Sequence, residues 1–268
     1  MNTHLTEDQI GSYRDNGYLV VRGLLSAEEL AELRAGIDAA VAQLGRRKLS
    51  GTTGDRWLAG ETYYDHVFLQ RINLWKINAA VKKYLLAPAL GQMLCALEGI
   101  DGIRLWHDQT LQKQPWANPT AWHSDNPKWS YHSPHAISIW IALEPATMQN
   151  GCMYYLPGSH KVDGFADAPI GQEIADYFEH FPQFRGVMPV AGEMEPGDAG
   201  FHNGLLAHAA GPNMTPNWRR AMTAGYMPDG SVFNGIQNVL SDAQVAALKV
   251  GDPLDDDSQN PLLWRSPA

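Results

Sequence analysis

The sequence predicts a mainly β fold with flanking helices, one domain built on an antiparallel core of short, irregularly connected strands. Such a core matches a double-stranded β-helix, the cupin-like jelly roll. Two observations carry this reading. Capping boxes and helical spacing fill much of the first hundred residues, whereas from about residue 102 the texture changes to short runs of period two separated by turn signals. No repeat or low-complexity linker divides the 268 residues, a length that suits one large domain. Three parts are expected: a mostly helical 1–100, a β-helix core over 101–228 and a less regular tail over 229–268. Composition alone does not separate a jelly roll from another β sandwich.

The elements follow in order. Thr6-Glu7-Asp8-Gln9 reads as a capping box opening a short helix that Asn16-Gly17 stops. Tyr18 to Val21 reads as a strand. Ser26-Ala27-Glu28-Glu29 is a second capping box, with Leu30, Leu33, Ile37 and Val41 following at helical spacing. Residues 46 to 62, rich in Gly, Thr and Arg, read as a loop. Helices are expected near 77–86 and 88–98, the second started by Pro88. If the next segment is extended, Ile103, Leu105, His107, Gln109, Leu111 and Lys113 share one face. Ile137, Ile139, Ile141 and Leu143 alternate with Ser138, Trp140 and Ala142. Asn150-Gly151 gives a hairpin signal before Cys152–Leu156, and Glu195-Pro196-Gly197-Asp198 a turn before the segment running to His208. Ala221 to Tyr226 reads as a strand and Ser241 to Val250 as a helix.

Hydrophobic residues at 44% and charged residues at 18% describe an ordinary globular protein. The net charge of −9, with no strongly basic run, argues against a nucleic-acid or anionic-membrane surface. Two cysteines, Cys95 and Cys152, give neither a disulfide framework nor a thiolate zinc pattern. The first residues lack the form of a signal peptide, and no apolar stretch approaches the ~20 residues that span a bilayer. The expected location is a reducing cytoplasm.

The most informative residues are His123-Ser124-Asp125 and, far downstream, His208 followed by Arg219. In a strand, residues i and i+2 point the same way, so His123 and Asp125 can converge on one ion. Two imidazoles and a carboxylate on one face of a metal leave positions open for a co-substrate and dioxygen, the facial triad of non-haem Fe(II) oxygenases. A cation after the second histidine suits a dicarboxylate such as 2-oxoglutarate. Against this, Ser-Asp-Asn-Pro is good turn chemistry, and a lone His208 is more often a satisfied core histidine.

The ordered set decides between these readings. Trp122-His123-Ser124-Asp125, Asn150-Gly151-Cys152-Met153, Leu156-Pro157-Gly158-Ser159-His160-Lys161, Glu195-Pro196-Gly197-Asp198, and His208 with Trp218-Arg219-Arg220 resemble the phytanoyl-CoA dioxygenase (PhyH-like) family of Fe(II)/2-oxoglutarate-dependent oxygenases, ectoine hydroxylase among them. The resemblance covers residues 100 to 228 well and the first hundred more loosely. It implies that His123, Asp125 and His208 are catalytic iron ligands and that Arg219 pairs with the distal carboxylate of 2-oxoglutarate. Gln109 and Trp140 match positions that flank the co-substrate. Gln112-Lys113-Gln114-Pro115-Trp116 stands where relatives carry Lys-Pro-Pro or Lys-Pro-Gly, which alters a substrate-side loop. Strand alternation sends Arg220 to the face opposite Arg219. The other histidines, 107, 132, 135, 160, 180 and 202 among them, read as structural or exposed.

The resemblance also implies decarboxylation of 2-oxoglutarate to succinate and CO2, coupled to oxidation of a C–H bond. Halogenating relatives replace the carboxylate with a small residue, so Asp125 favours hydroxylation; desaturation, epoxidation and ring formation stay open. The expected partner is a small polar metabolite or natural-product intermediate, with Trp116, Trp129, Tyr131 and Met153 as candidate walls. Arg104, Lys128 and Arg56 are candidate partners for an anionic substrate. Nothing resembles a coenzyme A site, and oligomeric state is not readable. Two alternatives compete: an inactive metal- and 2-oxoglutarate-binding module, and a cupin-like isomerase or hydrolase using zinc or manganese.

Overall fold

Local signals set the helices. The computed structural model describes residues 1–45, 47, 66–168 and 170–267; the loop expected over 46 to 62, apart from residue 47, and with it Arg56, lies outside them. Helix α1 (Glu7–Asn16) opens on the reciprocal Thr6–Gln9 capping box and ends where Gly17, at φ +82°, donates its N–H to the Tyr13 carbonyl. That left-handed turn suits glycine. Helix α2 (Ala27–Leu44) opens on the Ser26–Glu29 box and buries Leu30, Leu33, Ile37, Ala40 and Leu44. Val41 is half-buried at the edge of this stripe. The Asn78 side chain caps α3 (Ala79–Leu85), and Pro88 starts α4 (Pro88–Glu98). Two short helices follow, α5 (Tyr177–His180) and α6 (Asp242–Ala247). The last is shorter than the expected 241–250, because Leu248 is already extended.

The strands are β1 (Tyr18–Val21), β2 (Leu69–Ile72), β3 (Gly102–Lys113), β4 (Thr120–His123), β5 (Ile137–Ala142), β6 (Met153–Tyr155), β7 (Val190–Gly192), β8 (Ala199–Asn203), β9 (His208–Ala210), β10 (Arg219–Pro228) and β11 (Leu262–Arg265). Among the described residues they form two antiparallel sheets. The larger has seven strands in the order β1-β8-β5-β10-β3-β11, with β2 also on β3; the smaller is β4-β9-β6-β7. These face each other as a jelly roll. The first hundred residues and the tail each contribute to the large sheet, through β1, β2 and β11.

The large sheet has two different faces. On the outer one, Ile137, Ile139, Ile141 and Leu143 join Phe201, Met222, Ala224 and Tyr226 in a buried core under α1–α4. Burying each large aliphatic side chain contributes roughly 1.5–3 kcal/mol, which fixes the register of the strands. The inner face carries Ser138, Trp140, Ala221, Thr223, Gly200 and His202.

Two expectations change. Residues 103 to 113 do not share one face: the register of β3 against β10 shifts between Leu105 and His107, leaving Trp106 as an extra residue. Such a bulge reverses which side chains point inward. Ile103 and Leu105 therefore pack under the helices, while His107, Gln109 and Leu111 line the space between the sheets. Asn150-Gly151 makes a turn but no hairpin. Gly151 has φ +90°, Cys152 N–H donates to the Thr147 carbonyl (2.9 Å), and the chain crosses between sheets, so β6 pairs with β9 and β7 rather than β5. Among the described residues no helix is long and apolar enough to cross a membrane.

Candidate metal centre

Between the sheets lies a cavity of about 420 Å³ lined by residues that include His123, Asp125, His208, Gln109, Trp140 and Arg219. Its floor is the inner face of the large sheet, where side chains stand in rungs. One rung runs Ile72, Gln109, Thr223, Trp140, Gly200 across β2, β3, β10, β5 and β8. The next runs His107, Gly225, Ser138, His202. Glycines in these rungs make room: a Cβ on Gly225 would lie 2.7 Å from Cη2 of Trp129, and one on Gly200 would strike the Tyr155 hydroxyl.

His123 ends β4 and His208 starts β9, directly opposite each other in the register. Asp125 is not on the strand, contrary to the i, i+2 expectation. It has φ −82° and ψ −54° and opens a single 3-10 turn over Asn126–Lys128. Its N–H and that of Asn126 donate to the Gly204 carbonyl (3.0 and 2.9 Å). The turn chemistry and the convergence on one point are both real, since the turn is what swings the carboxylate back toward the imidazoles. A Cβ on Gly204 would lie 2.8 Å from that of Ala136, so this approach needs glycine.

The donor set fits a metal ion. Nδ1 of His123 donates to the Ala121 carbonyl (2.8 Å) and Nδ1 of His208 to the Leu206 carbonyl (3.0 Å). A carbonyl only accepts, so both rings carry the proton on Nδ1 and present the Nε2 lone pair. These Nε2 atoms lie 3.8 and 3.7 Å from Asp125 Oδ1, too far for hydrogen bonds and suited to an ion between them. Ligand atoms of all three residues lie within 4.8 Å of one another. The other carboxylate oxygen, Oδ2, accepts from Ser138 Oγ (2.8 Å) and His202 Nε2 (3.4 Å), which leaves Oδ1 as the free donor.

The electrostatics agree. Burial, then the neighbouring imidazoles of His123 and His202, push His208 well below the usual histidine range, and burial lowers His123. Burial by itself would raise Asp125, but His208, His202 and His123 together hold it far below the usual carboxylate range. At neutral pH the cluster holds two neutral imidazoles and a carboxylate, the protonation state that metal binding needs.

The cavity also fits a dicarboxylate. Arg219, 2% exposed, leaves Nε without a hydrogen-bond partner and has one long contact, Nη1 to the Leu111 carbonyl at 3.4 Å. No carboxylate pairs with it among the described residues. Its guanidinium lies 5.1 Å from the Trp140 ring centroid, and burial lowers its pKa to about 10. A buried cation without a counter-ion is costly, and a bound carboxylate would satisfy it in the two-toothed geometry guanidinium favours. Arg220 turns the other way, to Glu144 and Asp38. Gln109 accepts from Gln70 Nε2 on the wall beside this end.

Other positions fall elsewhere. Trp116 is 65% exposed, and Tyr131 is a core residue whose hydroxyl donates to the Tyr226 carbonyl. Arg104 is engaged by Asp229 and Asp257, away from the cavity. Lys128, Trp129 and Met153 do line it. His160 Nε2 donates to the Arg14 carbonyl, and His132 stacks on Phe165. Two histidines expected to be structural or exposed, His107 and His202, instead line the cavity. The strand face that His107 shares with Gln109 is the signal in the sequence for His107, whereas nothing local in the sequence points to His202.

The sequence profile of the family described as phytanoyl-CoA dioxygenase (PhyH) matches residues 13–221. Dioxygenase lolE1 of Epichloe uncinata is 29% identical over 238 residues, covering 85% of this chain and 84% of its own. The methylphosphonate hydroxylase of Gimesia maris is 26% identical, covering 84% and 82%. Among solved structures, the epimerase SnoN in complex with Fe3+, alpha-ketoglutarate and nogalamycin RO superposes with a TM-score of 0.77 at 27% identity, over 96% of this chain and 98% of that one. The carbocyclase SnoK (TM-score 0.78, 24% identity, 97% and 96% coverage) shares the fold. With the profile spanning most of its length, the chain belongs to the phytanoyl-CoA dioxygenase family of iron- and 2-oxoglutarate-dependent oxygenases.

Proposed function

We propose that this oxygenase hydroxylates an unactivated C–H bond of a small metabolite or natural-product intermediate, releasing succinate and CO2. His123, Asp125 and His208 are the proposed iron ligands, Arg219 the partner of the distal carboxylate of 2-oxoglutarate, and Gln109 and Trp140 its flanking contacts. The observation that carries the reading is the uncompensated guanidinium of Arg219 in the same cavity as the His-Asp-His cluster. A cupin-like isomerase or hydrolase would leave that cation without a purpose. A relative named as a hydroxylase supports the outcome, and Asp125 fills the position a halide would take.

Iron with 2-oxoglutarate and dioxygen supplies the oxidant for the C–H bond. The chain supplies order. Backbone carbonyls of Ala121 and Leu206 hold the two imidazoles in one tautomer, and Ser138 and His202 keep Asp125 from turning. Trp140 covers one side of the Arg219 guanidinium, excluding water from that ion pair. The residues act as positioners; no acid–base pair is needed.

The test is an anaerobic titration of apo-protein with Fe(II) and then 2-oxoglutarate. A visible charge-transfer band that requires both and is absent in His208→Ala is expected. Bound metal with no band at saturating 2-oxoglutarate would rule out chelation by the keto acid and move the assignment to the cupin-like alternative.

A further inference from the structure

The end of the cavity away from Arg219 has its own chemistry. We infer that it is a binding site for an uncharged small molecule that joins a flat or cyclic apolar body to a neutral hydrogen-bonding group such as an amide, ketone or hydroxyl. This rests on the oxygenase reading, because it takes the metal and co-substrate positions from it.

Charge gives the first argument. Apart from its histidines, the charged side chains among the described residues lining the cavity are Asp125, Lys128 and Arg219. Asp125 belongs to the metal set and Arg219 to the co-substrate. Lys128 is already engaged by Asp167 and donates to the Ala168 carbonyl (2.8 Å). Neither an anionic nor a cationic substrate finds an unpaired partner there among the described residues.

Unmatched neutral groups give the second. His107 and Asn238 both line this end, and His107 Nδ1 and Asn238 Oδ1 are buried without a hydrogen-bond partner. Buried polar atoms are nearly always paired, so two orphans on one wall mark where a ligand's polar group belongs. Asn238 also has φ +42°, a left-handed conformation held by its surroundings. The segment is bolted to the wall: Asn234 N–H donates to the Ser130 carbonyl (2.9 Å), Asn234 Nδ2 to the Trp129 carbonyl (3.0 Å), and Ser130 Oγ to the Gln237 carbonyl (3.0 Å). The site is built, not an accident of a loose loop.

The apolar part is the third. Trp129 stands edge-on to His107 (centroids 5.8 Å apart, planes at 86°), in space that Gly225 leaves clear, and Val239 lies next to Asn238 on the same wall. An indole beside an aliphatic surface and a neutral imidazole favours a flat or cyclic body.

The test loads the protein with Ni(II) and N-oxalylglycine, a non-reacting mimic of 2-oxoglutarate, and measures binding of benzamide, benzoate and benzylammonium, three molecules of one shape and different charge. Benzamide is expected to bind about tenfold or more tighter than either ion, and His107→Ala to weaken it about three- to tenfold, the worth of one hydrogen bond. Asn238→Gly, which keeps the left-handed backbone and removes only the amide, should weaken it similarly. An ion that binds as tightly as benzamide, no benzamide binding, or unchanged affinity in both variants overturns the site. Ni(II) and N-oxalylglycine retention is measured on the same samples. Loss of retention in the unaltered protein counts against the oxygenase reading itself, and the site falls with it.

Discussion

The two faces of the large sheet are made from the same strands and obey different rules. On the outer face most side chains are apolar and fill space under the helices, with Ile139 and Phe201 at 0% exposure, and the buried polar ones, Asp108, Thr110 and Asn203, are hydrogen-bonded. On the inner face Arg219, His107 and His202 are also buried, yet each keeps a polar atom without a partner. Leaving such an atom unpaired costs about 1–3 kcal/mol. The helix side stabilises the fold, and the cavity side carries unmet hydrogen-bonding capacity that a ligand can satisfy. Stability and chemistry are thus separated by the thickness of one sheet.

Substitutions on the two faces should separate the same two properties. The largest effect is expected on the inner face: Asp125→Ala should abolish succinate formation while far-UV circular dichroism and the melting temperature stay near those of the unaltered protein. A collapse of the fold would mean that the carboxylate is structural. On the outer face, Ile139→Ala should destabilise by about 2–5 kcal/mol in denaturant unfolding, with turnover per folded molecule unchanged. If turnover falls with stability, the faces are not independent.

Arg219→Met should raise the 2-oxoglutarate requirement roughly ten- to hundredfold, the worth of one or two charge-assisted hydrogen bonds. Iron should still bind, and apo-protein stability should hold or rise, since a buried unpaired charge is removed. Kinetics unchanged in this variant would remove the assignment. Ser138→Ala should weaken Fe(II) binding by about 10–100-fold, as is typical when a ligand loses its supporting hydrogen bond, read by metal titration without turnover.

The smallest effect belongs to the helix side. Glu98 of α4 accepts from Tyr13 and Asn203 Nδ2 and lies 3.4 Å from His135 Nδ1, a contact that raises the His135 pKa. A histidine raised in the folded state contributes stability that is full below its unfolded value of about 6.5 and lost as pH rises through the folded value. The melting-temperature gap between the unaltered protein and His135→Asn should therefore be widest near pH 6 and close toward pH 8.5. A gap independent of pH would show that the pair contributes nothing electrostatic.

Much of this was legible in the chain. The capping boxes at Thr6 and Ser26, the αL stop at Gly17 and the alternation of Ile137–Leu143 are local patterns, and local patterns survive folding. What was not legible depended on pairing between distant strands. The bulge at Trp106 exists only against β10, and without it His107 would face the helices. The Asn150-Gly151 turn looks the same in sequence whether its flanks pair with each other or part to different sheets. Asp125 was found in sequence by its company rather than its conformation, because the turn that aims it is closed by Gly204, a residue far along the chain. His202 and Ser138 went unnoticed for the same reason: their partner is a carboxylate that neither adjoins in sequence.

Gly225 carries a consequence for how this catalyst can change. The space its missing side chain leaves is where the Trp129 ring sits. A single methyl at position 225 would force that ring, part of the cavity wall, to shift, at a position that is itself none of the proposed metal or co-substrate contacts. One position thus acts as a volume dial on what the cavity accepts, adjustable in a single mutational step while the reaction stays the same. A lineage drifting at that residue would change its diet before it changed its chemistry.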